Sequence, residues 1–403
     1  MPEIGKRPEI RFAGFVDSWE QRKLKEIGLI ITGNTPSTQI MENYSESGIP
    51  WVTPTDIAEN VTISTAKKLS IIGQQVGRVV PKNTILVTCI ASIGKNTMLG
   101  TIGSYNQQIN GLIPNEKYYD PYFLLTESAI WSARMKKTAA AGTMQIVNRT
   151  EFSEIVTWLP KVEEQQQIGK FFRSLDDLIT LHQRELEKLK NMKKALLEKM
   201  FPKNDSNIPE IRFAGFTDPW EQRKLSELGK ILTGNTPPTS ERENWAKDEN
   251  GYVWITPTDI NALKMSDSER HLTAVGWGKA RSVPSNSVLI TSIASIGKNT
   301  VNTVPAAFNQ QINAIVPIEN SAYFILAAME NEKTRFARLA GQTATAIINK
   351  TEFEKFSLFV PNLQEQERLS GFFENFDNLI TLHQRRLEKF KNMKKALLNK
   401  MFV

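Results

Sequence analysis

A long helix-forming sequence occurs twice in this chain, at residues 163–200 and again at 364–401. No proline interrupts either copy, and apolar residues recur at steps of three and four, with charged residues at the other positions. This spacing is typical of helices that pack along a narrow coiled-coil seam. A straight helix over residues 168–200 would be roughly 50 Å long. We therefore expect two long antiparallel helices that pack on each other as a rigid spacer.

The spacing also predicts which residues form the seam. His182 and His383 occupy equivalent positions, and a histidine in such a seam is more often a packed, hydrogen-bonded residue than a metal ligand. The expected seam residues are Leu175, Leu178, His182, Leu186 and Leu189 in the first helix and Phe376, Leu379, His383, Leu387 and Phe390 in the second.

The rest of the chain is duplicated as well. Residues 8–28 return nearly unchanged at 209–229, and the motifs TGNTP, W[VI]TPTDI, ASIGKNT, NQQIN and TEF follow in the same order in both halves. Such a repeat predicts two similar globular units, each followed by its helix. Both halves mix short strand-like runs with helical segments, so we expect the α+β class. Antiparallel packing of the two helices would relate the units by a pseudo-two-fold axis.

The repeat defines a domain organisation. The linker is indicated by the polar sequence PKNDSN, which follows the first long helix. We place a first globular domain at residues 1–160, a first spacer helix at 161–201, a linker at 202–208, a second globular domain at 209–361 and a second spacer helix at 362–403.

Composition and charge narrow the possible functions. The formal net charge of +7 favours an anionic partner, nucleic acid among them. Cys89 is the only cysteine, which excludes an intrachain disulfide and a cysteine-based zinc site. The sequence begins without an apolar signal core and has no apolar run long enough to span a bilayer. We therefore expect a cytoplasmic protein.

The motifs of common enzymes are incomplete. ASIGKNT looks like a phosphate-binding loop, but Cys89 and Ser292 stand where its first glycine is required, and Asn follows the lysine in both copies. Neither half has the Asn/Asp-Pro-Pro-Tyr-type loop of an amino-methylating enzyme or a glycine-rich cofactor fingerprint after a strand. Asp56 and Asp259, in the shared TPTDI, are interpreted as turn or cap residues. The sequence thus predicts no catalytic residue, metal site or cofactor site in this chain.

The repeated loops carry groups suited to DNA. In each half three polar residues follow an apolar strand and a glycine, so we expect them to lie on an exposed turn and to contact phosphates. These residues are Lys95, Asn96, Thr97, Lys298, Asn299 and Thr300. Side-chain amides of the kind that pair with an adenine edge are supplied by Gln107, Gln108, Gln310 and Gln311. The alternative for these amides is that they satisfy local backbone groups. Trp51 and Trp254 are expected in the core rather than stacked on bases.

The two halves diverge in three pairs of segments. These are 37–50 against 238–252, 58–80 against 261–283, and 98–105 against 301–308. Residues that the halves share cannot make two units prefer different sequences. We therefore expect base discrimination in the divergent loops and phosphate positioning in the shared ones.

A Pro-x-x-x-Glu-Gln motif begins each long helix, at 160–165 and 361–366, and the sequence LITLHQR follows within the helix. With the motifs above, in the same order, these sequences resemble those of the specificity subunits of Type I restriction-modification systems. The resemblance covers nearly the whole chain. It implies two target recognition domains that each bind one half of a split, asymmetric site in double-stranded DNA, with the helices setting the gap. The two halves here are unusually alike, which predicts half-sites that share features.

The resemblance also implies partners. Two methyltransferase subunits would bind S-adenosylmethionine and methylate the adenine amino group after flipping the base out. Restriction subunits would supply ATP-driven, Mg-dependent translocation and cleavage, and this chain itself would be non-catalytic. Two other functions stay open from the residues alone: a stand-alone DNA-binding regulator, and an enzyme such as a methyltransferase or nuclease.

Overall fold

The computed structural model describes residues 6–140, 146–203, 206–247, 250–340 and 346–403. The chain forms two compact units. Unit 1 comprises Met1–Arg184 with Gln384–Val403, and unit 2 comprises Glu185–His383. Each long helix therefore begins in one unit and ends in the other.

The elements of the first half alternate short strands with helices. Its strands are β1 Glu20–Lys23, β2 Gly28–Thr32, β3 Tyr44–Val52, β4 Val61–Thr62, β5 Lys68–Leu69, β6 Ile85–Thr88, β7 Asn96–Leu99, β8 Ser104–Tyr105, β9 Ile109–Pro114 and β10 Val156–Leu159. Its helices are α1 Leu24–Ile27, α2 Ile71–Val76, α3 Pro121–Ala140, α4 Arg149–Ser153 and α5 Val162–Met200.

The second half repeats this order. Its strands are β11 Glu221–Lys224, β12 Gly229–Thr233, β13 Tyr252–Ile255, β14 Lys264–Met265, β15 Arg270–Leu272, β16 Ser282–Val283, β17 Val288–Thr291, β18 Asn299–Asn302, β19 Ala306–Phe308, β20 Ile312–Pro317 and β21 Ser357–Val360. Its helices are α6 Leu225–Leu228, α7 Ala274–Lys279, α8 Ala322–Asn331, α9 Lys333–Ala337, α10 Lys350–Lys355 and α11 Leu363–Met401.

The sheets of the two units have matching topology. In unit 1 the main sheet has the strand order β2-β9-β6-β7-β4, and in unit 2 the order is β12-β20-β17-β18-β14. The central strands β6 (ILVT) and β17 (VLIT) are buried along their whole length, as expected of β-branched and apolar runs covered on both faces. A second sheet, β5-β3-β8 in unit 1 and β15-β13-β19-β16 in unit 2, carries most of the divergent segments.

A pair of compensating residue differences shows how closely the main sheets of the two units correspond. In β9 a Cβ on Gly111 would lie 2.2 Å from the hydroxyl oxygen of Tyr105, and that hydroxyl donates to the Ile31 carbonyl at 2.9 Å. In unit 2 the equivalent residues are Ala314 and Phe308, both buried. The alanine methyl group therefore takes the space that the tyrosine hydroxyl fills in unit 1.

The Pro-x-x-x-Glu-Gln motif anchors the start of each long helix. Glu164 is 1% exposed and accepts two hydrogen bonds from the Arg11 guanidinium at 2.6 and 2.7 Å. Gln165 donates to the Pro160 carbonyl at 2.8 Å and accepts from the Asp120 amide at 3.0 Å. Glu365 and Gln366 make the same contacts in unit 2. The motif therefore attaches each long helix to its globular domain through buried hydrogen bonds.

The far end of each long helix packs into an aromatic core. In unit 1 the Phe402 ring lies 5.4 Å from Phe123 and 5.7 Å from Phe172. In unit 2 Phe201 lies 5.6 Å from Phe324 and 6.0 Å from Phe373. Burial of rings of this size contributes roughly 2–3 kcal/mol each, so both helix ends are firmly attached.

Within each unit the two helices run antiparallel, as expected. In unit 1 the His182 ring stacks on Phe390 at 5.4 Å, and Lys394 bonds to Asp176 at 2.5 Å. In unit 2 Lys193 bonds to Asp377 at 2.6 Å. The α+β class, the internal repeat and the long paired helices are therefore confirmed.

The predicted seam was wrong at two positions. Leu178 and Leu379 are 40% and 45% exposed, whereas Ile179 and Ile380, one residue later, are half-buried. The expected series took two consecutive steps of four around His182, whereas a heptad seam alternates steps of three and four. The observed series alternates steps of four and three through Phe172, Leu175, Ile179, His182, Leu186 and Leu189. Leu175 and His182 are buried, and the remaining predicted seam residues, Leu186, Leu189, Phe376, His383, Leu387 and Phe390, are half-buried.

Candidate nucleic-acid interface

Three of the repeated motifs meet in each unit. In unit 1 the Trp51 indole donates to the Asn34 carbonyl at 3.1 Å, and Thr35 donates to the side chain of Gln107 at 2.5 Å. In unit 2 Trp254 donates to Asn235 at 3.3 Å, and Thr236 donates to Gln310 at 2.6 Å. We call this arrangement the shared loop cluster; it comprises residues 32–36, 51 and 106–108 in unit 1 and 233–237, 254 and 309–311 in unit 2.

The glutamine side chains of this cluster differ in access. Gln107 and Gln310 are exposed at the tip of the turn before β9 and β20. Gln108 is half-buried, and its side-chain oxygen accepts from Asn106 at 2.9 Å. Gln311 is held in the same way by Asn309 at 3.1 Å. Local hydrogen bonds therefore account for the second glutamine of each pair, whereas the first, whose side-chain oxygen accepts from a threonine, is exposed to solvent.

The TPTDI motif forms a turn that supports a neighbouring lysine. Asp56 accepts from the Thr53 amide at 2.9 Å and from the Thr53 hydroxyl at 2.6 Å, which confirms its interpretation as a turn residue. Asp259 makes the same bonds with Thr256. The ammonium group of Lys95 donates to the Pro54 carbonyl of this turn at 3.0 Å.

The loop that carries this lysine has unusual backbone geometry in both units. Ala91 and Ala294 both have φ of 61°, a left-handed conformation that costs a non-glycine residue about 1 kcal/mol. Gly94 and Gly297, at φ 81°, complete the bend. Both copies keep this strained loop, and it presents Lys95 and the half-buried Lys298 next to the TPTDI turn.

The expectation of an exposed turn was wrong for the residues that follow these lysines. The chain re-enters the sheet immediately, so Asn96 lies half-buried in β7, and Thr97, Asn299 and Thr300 are buried. The Thr97 hydroxyl lies 2.9 Å from that of Thr62, within the protein. The Asn299 amide donates to the Leu326 carbonyl at 3.2 Å. These side chains therefore stabilise the sheet in this structure.

An aromatic and cationic pair borders the shared loop cluster, and sequence reasoning missed it. In unit 2 the Arg270 guanidinium lies 3.7 Å from the centre of the Trp245 ring, and Trp245 packs edge-on against Trp254 at 4.9 Å. In unit 1 Lys67 lies 5.8 Å from the Tyr44 ring, and Tyr44 packs against Trp51 at 5.8 Å. Trp51 and Trp254 are buried, as expected of core residues.

Burial keeps two groups near the unit 1 cluster uncharged. Desolvation raises the pKa of Tyr44, whose neutral hydroxyl donates to the Pro36 carbonyl at 2.7 Å. Burial also raises the pKa of the Cys89 thiol to about 11, so this thiol is protonated at neutral pH. Neither group therefore adds negative charge to this region at neutral pH.

Across the part of the chain that the structure describes, no group of three or more His, Cys, Asp or Glu side chains is placed to hold a metal ion. None of the helices in that part combines the length and apolarity that crossing a bilayer requires.

Comparisons with known proteins find sequence relatives that cover nearly all or part of the chain. The chain is 24% identical to the Type I restriction enzyme MjaIX specificity subunit of Methanocaldococcus jannaschii, over 99% of this chain and 94% of that protein. It is 30% identical to the EcoR124I/EcoR124II specificity subunit of Escherichia coli, over 43% of this chain and 47% of that protein.

Two solved structures share the fold. The crystal structure of a Type I restriction-modification S subunit from M. genitalium superposes with a TM-score of 0.69 at 13% identity, covering 99% of both chains. A chain from a study of complex assembly and conformational transition in the type I R-M system gives a TM-score of 0.52 at 16% identity, covering 95% of this chain and 97% of that one. The family model for the Type I restriction modification DNA specificity domain matches residues 16–191 and again residues 217–392. The chain therefore belongs to the Type I restriction-modification DNA specificity family.

Proposed function

We propose that this chain is the non-catalytic DNA-recognition subunit of a Type I methyltransferase and endonuclease complex. Each unit binds one half of a bipartite, asymmetric site in double-stranded DNA. The observation that supports this most directly is that the same loop cluster occurs once in each unit. In each case the cluster carries an exposed amide and is bordered by a divergent aromatic–cation pair.

The proposed contacts follow from exposure and chemistry. Lys95 and Lys298 each offer an ammonium group beside a loop, which suits phosphate oxygens and supplies binding that does not depend on sequence. Gln107 and Gln310 each offer an amide that can pair with an adenine edge. The half-buried Asn96, Gln108 and Gln311 would position these residues rather than contact bases.

The long helices are proposed to fix the gap between the half-sites. Their ends are packed into the aromatic cores of the units, so a change in helix length has to move one recognition surface with respect to the other. Half-sites on one face of B-DNA lie about one turn, or roughly 34–36 Å, apart.

The outer faces of these helices are proposed to bind two methyltransferase subunits. Leu178, Leu181, Leu379 and Leu382 are between 40% and 53% exposed and recur at equivalent positions of α5 and α11. Leucines exposed in this repeated pattern are typical of a protein-binding surface. The methyltransferase subunits would bind S-adenosylmethionine and methylate adenine, and restriction subunits would bind ATP and Mg²⁺; this chain would supply none of that chemistry.

Methylome sequencing tests the proposal. A host that carries the chain with its methyltransferase partner should show adenine methylation at one bipartite motif, and deletion of the chain alone should remove it. A purified chain that transfers methyl groups or cleaves DNA by itself would refute the non-catalytic role. Specific DNA binding without any partner, together with an unchanged methylome, would indicate a stand-alone regulator instead.

Removing one heptad from each helix should change the gap. Deleting residues 183–189 of α5 together with 384–390 of α11 keeps the seam in phase and shortens the helices by about 10 Å, or about three base pairs. We expect methylation to disappear at the wild-type gap and any remaining methylation to lie at a gap about three base pairs shorter. Deletion of four residues from each helix, which breaks the seam, is the control for unfolding. Retention of the original gap by the heptad variant would show that the helices do not set it.

Replacing exposed leucines should weaken the methyltransferase complex. The double variant Leu178→Ser and Leu379→Ser removes two apolar side chains that are 40% and 45% exposed on the proposed surface, and burial of that part of one leucine is worth roughly 1 kcal/mol. We therefore expect the dissociation constant for each bound methyltransferase to rise about fivefold, measured by calorimetry. Val16→Ser, which alters a side chain that is 70% exposed outside the helices, is the matched control. Unchanged affinity in the leucine variant would place the binding surface elsewhere.

A further inference from the structure

The Arg270–Trp245 pair of unit 2 is held by rigid elements. Arg270 is the first residue of the edge strand β15 and lies directly opposite Trp254 of β13. Its guanidinium lies 3.7 Å from the centre of the Trp245 ring and 5.4 Å from that of Trp254. Ser268 ties the preceding turn to the strand, because its hydroxyl donates to the Arg270 carbonyl at 2.8 Å and accepts from the Trp254 amide at 3.1 Å. The position of the guanidinium is therefore defined before any ligand binds.

The donors of this guanidinium face open space. Arg270 and Trp245 border a cavity of about 520 Å³ that is also lined by Lys247 and His271. Among the residues that the structure describes, the Arg270 side chain has ring contacts but no hydrogen bond or ion pair. His271 is buried and bonded to Asp267 at 2.8 Å, so it is engaged within the protein. Arg270 is exposed, so its five N–H groups are available to donate to an acceptor on a ligand.

The equivalent position in unit 1 has different chemistry. Lys67 lies 5.8 Å from the Tyr44 ring, so an ammonium group replaces the planar guanidinium and a phenol replaces the indole. An ammonium group is a point charge, whereas a guanidinium donates two parallel hydrogen bonds in one plane. Both pairs lie where two of the divergent segments meet, 37–50 with 58–80 in unit 1 and 238–252 with 261–283 in unit 2.

We infer that Arg270 is a specificity-determining residue of unit 2 and that it recognises a guanine in the half-site bound by that unit. This inference rests on the proposed function and assigns one position of the recognised sequence. The O6 and N7 atoms of guanine accept two coplanar hydrogen bonds in the major groove, and bidentate arginine is the commonest specific contact with them. The close contact with the Trp245 ring restricts the orientations from which Arg270 can donate. Lys67 of unit 1 lacks a planar guanidinium and therefore imposes a weaker preference at the matching position.

Methylome sequencing of variants, with the chain expressed beside its methyltransferase partner, tests this. Wild type should show guanine at one position of one half-site. Arg270→Lys and Arg270→Ala should both relax that position, lowering discrimination against the other bases about ten- to hundredfold. The other half-site and the gap should not change. Lys230→Ala removes an exposed cation of unit 2 that does not line this cavity and should leave the motif intact.

Three results would overturn the inference. The first is a motif that neither arginine variant alters. The second is a wild-type motif in Arg270→Lys with a uniform loss of methylation in Arg270→Ala, because that pattern indicates a phosphate contact. The third is loss of methylation at every site in both variants with a lowered melting temperature, which indicates a structural residue. A wild-type chain that directs no bipartite methylation would instead refute the proposed function itself.

Discussion

Replacing Asp176 with alanine is expected to destabilise unit 1 by about 3–5 kcal/mol. The Asp176 side chain is 7% exposed and pairs with Lys394 at 2.5 Å, and it also accepts from the Tyr122 hydroxyl at 3.0 Å. Lys394 is itself 22% exposed. Removal of one partner from a buried ion pair leaves the other charge without compensation, which is the costly case. Denaturant unfolding of the wild type and the variant measures the difference.

A double-mutant cycle, completed by the single variant Lys394→Met, separates the ion pair from simple loss of packing. Asp176→Ala combined with Lys394→Met removes both charges, and we expect it to recover most of the stability that Asp176→Ala loses. Glu59→Ala breaks a surface pair with Arg184 whose side chains are 61% and 70% exposed, and it should change stability little. A loss below about 1 kcal/mol in Asp176→Ala would show that the buried pair is not important for unit 1.

Unit 2 contains the equivalent ion pair, with the lysine on α5 and the aspartate on α11. Lys193 of α5 bonds to Asp377 of α11, and Tyr323 of α8 donates to the same carboxylate. Burial raises the pKa of Asp377, and the bond from Lys193 opposes that rise. In each unit the pair joins the two long helices to a helix of the globular domain, so it fixes their register as buried polar seam residues do elsewhere.

The ion pairs also show where sequence reasoning fails. The 3–4 spacing was sufficient to predict both long helices, because many residues contribute to a periodic signal. It was not sufficient to fix the phase, since Leu178 and Ile179 are equally apolar and Met192 is a better apolar candidate for the seam than Lys193. The lysines become acceptable in the seam only through carboxylates that lie 184 and 218 residues away in the chain. Such partners cannot be identified from local pattern.

The same limit applies to the candidate interface. The repeat identified the shared loops because identical motifs recur, and their meeting depends on strand pairing such as Thr32 opposite Asn110. Thr97 and Thr300 were misplaced because nothing in ASIGKNT marks the residue at which the loop ends and the strand begins. The Arg270–Trp245 pair lies in segments that differ between the halves, so a search for repeats excluded it. The available signal was that both halves have an aromatic residue and a cation at equivalent positions, Tyr44 and Lys67 in the first half and Trp245 and Arg270 in the second.

Replacing Glu127 with glutamine should make unit 1 more stable at neutral and alkaline pH. Glu127 is buried in α3, accepts from the Thr157 hydroxyl, and Thr157 in turn accepts from the Trp131 indole at 3.0 Å. Burial raises the pKa of Glu127 from 4.5 to about 8, and the bond from Thr157 opposes the rise. The folded state therefore holds a proton that the unfolded state releases between these two values.

The sign of the pH dependence follows from this difference. The stability linked to the protonated carboxyl is fully present below pH 4.5 and is lost as the pH rises toward 8, a change on the order of 3–4 kcal/mol between those limits. Glutamine cannot ionise, so the unfolding free energy of Glu127→Gln should vary less between pH 5 and pH 8 than that of the wild type. Glu154→Gln is the matched control. Lys23 and Lys25 lower the pKa of Glu154 to about 2, and that titration lies outside the window. If the unfolding free energy of Glu127→Gln varied with pH as in the wild type and that of Glu154→Gln varied less, the pH dependence would have to be assigned to Glu154 instead.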